Sequence, residues 1–228
     1  MHAYTQAIRD VLEQHRDAEQ AEPMSRYMKD LFPFLGIRTP VRDELTKQFI
    51  AEHGLPALEE LSLIARELWQ LPEREYAYVA IFLIGKYQKK LQPQHLDLLV
   101  ELITTKSWWD TVDLLASNAV GSILRKHPEL LPAYPDQWIH SSNMWLARTA
   151  LLYQLKYKTH TDEERLFRYI QTCASSKEFF IQKSIGWALR EYSKTAPEQV
   201  IAFVQKETLA PLSRREALRW LARTSPIS

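Results

Sequence analysis

The sequence contains one cysteine, five glycines and no apolar run approaching the length of a membrane span. Each shortage excludes something. Cys173 has no partner for an intramolecular disulfide and cannot build a cysteine-based zinc or iron–sulfur site, which fits a reducing, cytoplasmic setting. The glycines (Gly36, Gly54, Gly85, Gly121, Gly186) are too few and too scattered for GxGxxG, GxxxxGK[ST] or GxSxG. A glycine-rich hairpin that grips a phosphate is missing for the same reason. The start MHAYTQAIRDVLEQHRDAEQ is too polar for a signal peptide. Seven histidines include no HExxH and no HxH pair, so no metal site is expected, and most stand near expected helix ends, as His127 and His140 do.

What is present is a globular composition over 228 residues, long enough to bury a core without staples: 46% hydrophobic, 25% charged, and rich in aromatics, with seven tryptophans. The net charge of +1 conceals an uneven distribution. Residues 141–228 hold 14 Lys/Arg against 8 Asp/Glu, whereas residues 1–140 hold 15 against 20. Such asymmetry points to nucleic acid as a partner, although solvated helix faces also carry lysines.

Apolar positions recur at steps of three and four, as in Leu61, Ile64, Ala65, Leu68 and Trp69, and no alternating strand pattern flanked by turn glycines is visible. The spacing predicts helices over 3–18, 23–35, 40–53, 56–70, 72–90, 93–105, 108–126, 128–139, 142–158, 162–174, 177–194, 197–206 and 213–224. Thr39–Pro40 and Leu71–Pro72 read as helix starts. Four S/T-x-x-[DE] boxes, at Ser107, Thr161, Ser175 and Ser213, read as helix caps. Trp109, Trp145 and Phe180 stand 36 and 35 residues apart, and Asp113, Thr149 and Ser184 follow them four positions on. Two helices per roughly 35–45 residues is a solenoid period. The expectation is one all-α, HEAT-like helical-repeat domain over 1–228, whose helices 108–126, 142–158 and 177–194 line a concave groove.

Trp109 and Asp113 share a helix face, and a carboxylate on an apolar helix is costly to bury unpaired. Arg148, in the apolar stretch WLARTALLYQLKY, suits either a phosphate clamp or an internal partner for Asp113. Lys183 holds the matching place in the next repeat. Trp187 follows it by four residues, beside Gly186, and reads either as a groove residue or as core filling.

The segments AEPMSRYMKDLFPFLGIRTP, RELWQLPERE, TKSWWDTVD, WLARTALLYQLKYK, SSKEFFIQKSIGWALREY and LAPLSRREA resemble the AlkD-type DNA alkylation repair glycosylases, in order, over about residues 20–217. The resemblance implies a HEAT-like solenoid gripping duplex DNA in a basic groove and hydrolytic removal of cationic alkylated purines such as N3-methyladenine and N7-methylguanine. It implies too that the base stays stacked, without flipping. By position, the family's cleft tryptophans fall on Trp109 and Trp187, its essential carboxylate on Asp113, its functional arginine on Arg148 and a groove tyrosine on Tyr27. Arg38 and Asp43 depart from the expected Gln and Arg, which bears on DNA grip. Lys156, Lys158, Arg190, Arg214 and Arg215 would add phosphate contacts. A monomer is expected, with no metal, no cofactor and no membrane. The competing expectations are a non-catalytic DNA-binding module and a protein-interaction scaffold.

Overall fold

The computed structural model describes residues 1–224, and among these every regular element is helical. The chain forms two compact units, the first Met1–Lys90 and the second from Leu91 onward.

The first unit contains α1 (Ala3–Glu13), α2 (Ala18–Tyr27), α3 (Thr39–His53), α4 (Leu61–Gln70) and α5 (Arg74–Lys86). Its core is built from Ile8, Leu12, Phe49, Leu61, Ile64, Leu68, Tyr76 and Leu83, all essentially inaccessible to solvent. The sequence places the second helix at 23–35, but α2 starts at the Asp17 cap and stops at Tyr27. Lys29 and Asp30, with φ of 59° and 56°, turn left-handed and end it. Residues 35–37 run non-helically, and their three backbone N–H groups converge on the fully buried Glu75 carboxylate at 2.9–3.0 Å. Gly36 has φ +94°, and a Cβ there would lie 1.9 Å from the Asp17 carbonyl, so only glycine allows this loop to close on the start of α2. Glu75, in the first turn of α5, is thus the anchor of a loop 40 residues away.

The second unit contains α6 (Leu96–Thr104), α7 (Trp109–Leu114), a π segment (Leu115–Val120), α8 (Gly121–Lys126), α9 (Pro135–Trp138), α10 (Met144–Leu152), α11 (Glu163–Cys173), α12 (Phe179–Tyr192), α13 (Pro197–Lys206), α14 (Pro211–Leu218) and α15 (Leu221–Thr224). Helices α7, α10, α12 and α14 pack each on the next in a row, and α11 and α13 pack against that row as a second layer. This is the two-layer helical repeat expected from the sequence period. In α11 the pattern is plain: Leu166, Tyr169, Ile170 and Cys173 form one buried stripe behind the Asp162 cap. Burial pushes the Cys173 thiol up to about 11, so the thiolate is scarce at neutral pH.

The stretch 108–126 is not one α-helix. Ser117 donates its hydroxyl to the Asp113 carbonyl, and Asn118 donates its side-chain amide to the Leu114 carbonyl. These bonds go to carbonyls that the main-chain ladder also uses, and the backbone widens into the π segment directly after Leu114. No described helix is long and apolar enough to cross a membrane.

Candidate active site

Arg148 organises the second unit's site. Its Nε donates to Asp113 Oδ1 at 2.7 Å and its Nη2 to Asp113 Oδ2 at 2.8 Å, a bidentate fork between α10 and α7. Nη1 donates to the Phe180 carbonyl in the first turn of α12. One guanidinium therefore ties three helices together, with its carbon 5.7 Å from the Phe180 ring centroid. Of the two uses the sequence offers Arg148, the geometry is that of Asp113's partner: all three nitrogens are engaged, and only 5% of the side chain is exposed.

Three aromatic rings brace this junction. Trp108, Trp145 and Phe180 lie at the starts of α7, α10 and α12, with centroids 4.9–5.8 Å apart. The sequence repeat aligns Trp109 with Trp145 and Phe180. The ring that occupies that place is Trp108, one residue earlier, because α7 begins after it in an extended conformation. Trp109 is left one helical turn from Asp113 on the same face, and it is only half-buried.

The Asp113 side chain retains 11% of its exposure. Burial pushes its carboxyl above the usual carboxylate range, and the nearby Asp110 adds to the push, while the Arg148 guanidinium opposes both. Trp187, also half-buried, stands seven residues beyond Phe180, two turns and about 10 Å along the same face of α12. Gly186, beside that indole, makes room for a neighbouring helix. A Cβ at 186 would lie 2.5 Å from the Glu216 Cβ and 2.9 Å from the Ser213 carbonyl oxygen, so this glycine lets α14 close on α12.

The basic residues fall into different settings. Lys183 Nζ lies 3.2 Å from Glu216 Oε1, and Arg190 Nη1 lies 2.9 Å from Glu216 Oε2. Lys156 donates to Asn118 at 2.6 Å and is otherwise exposed. Arg214 turns one nitrogen back to the Glu207 carbonyl at 3.1 Å, whereas Arg215 and Lys158 are exposed. Tyr27 ends α2 in the first unit and is 70% exposed. Arg38 donates to Gln20, and Asp43 pairs with Arg42.

Two features escaped the sequence reading. The Phe180 carbonyl is a backbone group and leaves no mark in side-chain identity. The sequence places Glu216 in a capping box with Ser213, but α14 starts earlier, at Pro211, and Ser213 instead donates to the Gln182 carbonyl at 2.9 Å. The other boxes fail similarly. Ser107 bonds back to the Ile103 carbonyl, Asp162 rather than Thr161 caps α11, and the cap position of α12 is Glu178, whose side chain makes no capping bond.

Against known proteins, a family model described as DNA alkylation repair enzyme matches residues 8–221. The chain belongs to this family. Among solved structures, a predicted DNA alkylation repair enzyme from Enterococcus faecalis is similar at 36% identity, with a TM-score of 0.84, covering 91% of this chain and 97% of that one. AlkD2 from Streptococcus mutans (20% identity, TM-score 0.59, 79% and 88% covered) and smu.31 from Streptococcus mutans UA159 (19%, 0.58, 90% and 97%) share the fold. No curated protein matches. As a DNA alkylation repair family member, the chain is an all-helical enzyme of DNA repair, and Asp113 with Arg148 is its one nearly buried acid–guanidinium fork among the ion pairs described for the second unit.

Proposed function

We propose that the chain is a monofunctional DNA glycosylase that hydrolyses the N-glycosidic bond of cationic alkylated purines, N3-methyladenine and N7-methylguanine, in duplex DNA without base flipping. The observation that carries this reading is the fork between Asp113 and Arg148, which holds a single carboxylate in a fixed orientation one turn from Trp109.

The chemistry fits one acid. An alkylated purine with a positive ring departs with the C1′–N bond pair and becomes neutral, so it needs no proton donor. Water supplies the oxygen at C1′ and loses its proton to solvent. The sugar passes through an oxocarbenium-like state, and a carboxylate close to C1′ stabilises that charge and orients the water. Two carboxylates, as in ordinary glycoside hydrolysis, are not required. Asp113 fills the role of the acid, and Arg148 is the positioning residue that keeps it ionised and aimed. Trp109 and Trp187 would pack their π faces against the cationic nucleotide, worth about 0.5–2 kcal/mol each. Tyr27, Lys156, Lys183, Arg190, Arg214 and Arg215 would hold the backbone phosphates, and the partner is duplex DNA bound by a monomer.

Specificity then rests on the charge of the lesion. The test is release of free base from duplexes carrying 7-methylguanine, uracil or 1,N6-ethenoadenine. Release of 7-methylguanine alone is the expected result. Equal release of the neutral lesions, or release of none, contradicts the reading, the latter in favour of a non-catalytic DNA-binding module.

A further inference from the structure

Glu216 is a buried acid that the mechanism above does not use. Glu216 enters from α14 directly over Gly186, and its Cβ occupies the space a side chain at 186 would need. The Ser213 hydroxyl, bonded to the Gln182 carbonyl at 2.9 Å, locks the start of α14 to α12 beside it. From this fixed root the carboxylate reaches Lys183 with one oxygen at 3.2 Å and Arg190 with the other at 2.9 Å, while Arg219 stands 3.9 Å away. Lys183 precedes Trp187 by four residues and Arg190 follows it by three, so both lie on the indole's face of α12.

The exposures are graded. The Glu216 side chain is 10% exposed, but Arg190 is 26% and Lys183 37% exposed. The acid is behind and the cations are in front. Each cation spends one donor on Glu216, leaving Lys183 two N–H groups and Arg190 four. Burial alone would raise the Glu216 carboxyl; the Lys183 bond and the surrounding cations hold it below the usual carboxylate range.

We propose that Glu216 is a positioning residue that fixes Lys183 and Arg190 on either side of Trp187, so that their outward donors meet the phosphates flanking a lesion. The inference rests on the glycosylase reading above. It differs from a role of charge alone, because removing a negative charge near DNA should strengthen binding. Loss of positioning instead slows the reaction of bound DNA.

The experiment is single-turnover release of 7-methylguanine from a methylated duplex, with protein titrated so that maximal rate and half-saturating concentration separate. Wild type is compared with Glu216→Gln, with Lys183→Met/Arg190→Met, and with the triple variant. For Glu216→Gln the maximal rate is expected to fall about tenfold with half-saturation unchanged or lower. Once both cations are gone, the same change should cost less than about twofold. If Glu216→Gln does not fold, Glu216→Asp replaces it: the charge remains, one methylene too short to reach both cations, and the same loss of rate is expected. A wild-type maximal rate, or an equal loss with and without the two cations, overturns the inference. Wild-type protein that releases no base overturns the glycosylase reading and this inference with it, whereas an active wild type with an indifferent Glu216 overturns the inference alone.

Discussion

Arg148 grips both carboxylate oxygens of Asp113, at 2.7 and 2.8 Å, from a neighbouring helix of the repeat row. A planar fork can do this and a lysine ammonium cannot, since it offers a point charge rather than two parallel donors. The pair is nearly buried, so breaking it strands a charge at a cost of about 3–5 kcal/mol. Arg148→Met should therefore destabilise the fold by about that amount in urea unfolding. Adding Asp113→Asn to it should recover much of the loss, because the stranded charge is gone. Simple addition of the two single effects would contradict the coupling.

The pH dependence follows from Asp113. Burial raises its carboxyl above the usual value of 3.8, so it takes up a proton at a higher pH than an exposed aspartate does. Activity that needs the carboxylate is present above that raised pKa and lost as pH falls through it. Single-turnover excision should show an acid limb with its midpoint above the usual aspartate value, moving further up in Arg148→Met. A rate unchanged down to pH 4 would contradict an ionised Asp113 as the working form.

Much of this was readable from the residues, and the failures have physical causes. The all-helical repeat follows from apolar spacing, as the stripe Leu166, Tyr169, Ile170 and Cys173 illustrates. A carboxylate on an apolar helix demands a partner, which singles out Asp113 in the sequence, and Arg148 is that partner. The capping boxes misled because serine and threonine hydroxyls reach backwards as readily as forwards: Ser107 and Ser213 bond to earlier carbonyls. Ser117 and Asn118 make the same backward bonds within the π segment. Glu75 and Glu216 were unreadable because their partners are set by tertiary contact, one through three backbone amides and the other through a glycine on a different helix.

Gly186→Ala tests the closure of α14 on α12. The new methyl would lie 2.5 Å from the Glu216 Cβ, and both neighbours sit on packed helices. A destabilisation of about 1–3 kcal/mol is expected, with slower excision because the Glu216 bracket shifts. Wild-type stability in urea would show that the contact yields freely.

Glu75→Gln tests the loop anchor of the first unit. The amide keeps the shape but turns an NH2 group toward one or more of the N–H donors of residues 35–37. Loss of about 1–3 kcal/mol is expected, read by urea unfolding, because a buried donor is left unmatched. No change would mean that the loop holds without the carboxylate.

The claim on which all of this turns is that the carboxylate of Asp113 acts on the sugar of a cationic purine nucleotide. Single-turnover release of 7-methylguanine by Asp113→Asn, beside wild type and with DNA affinity measured on the same samples, tests it most directly. The expected result is a loss of at least about 100-fold in rate with affinity retained or increased, since one negative charge has left the site. Release at the wild-type rate by a folded Asp113→Asn protein would contradict the account.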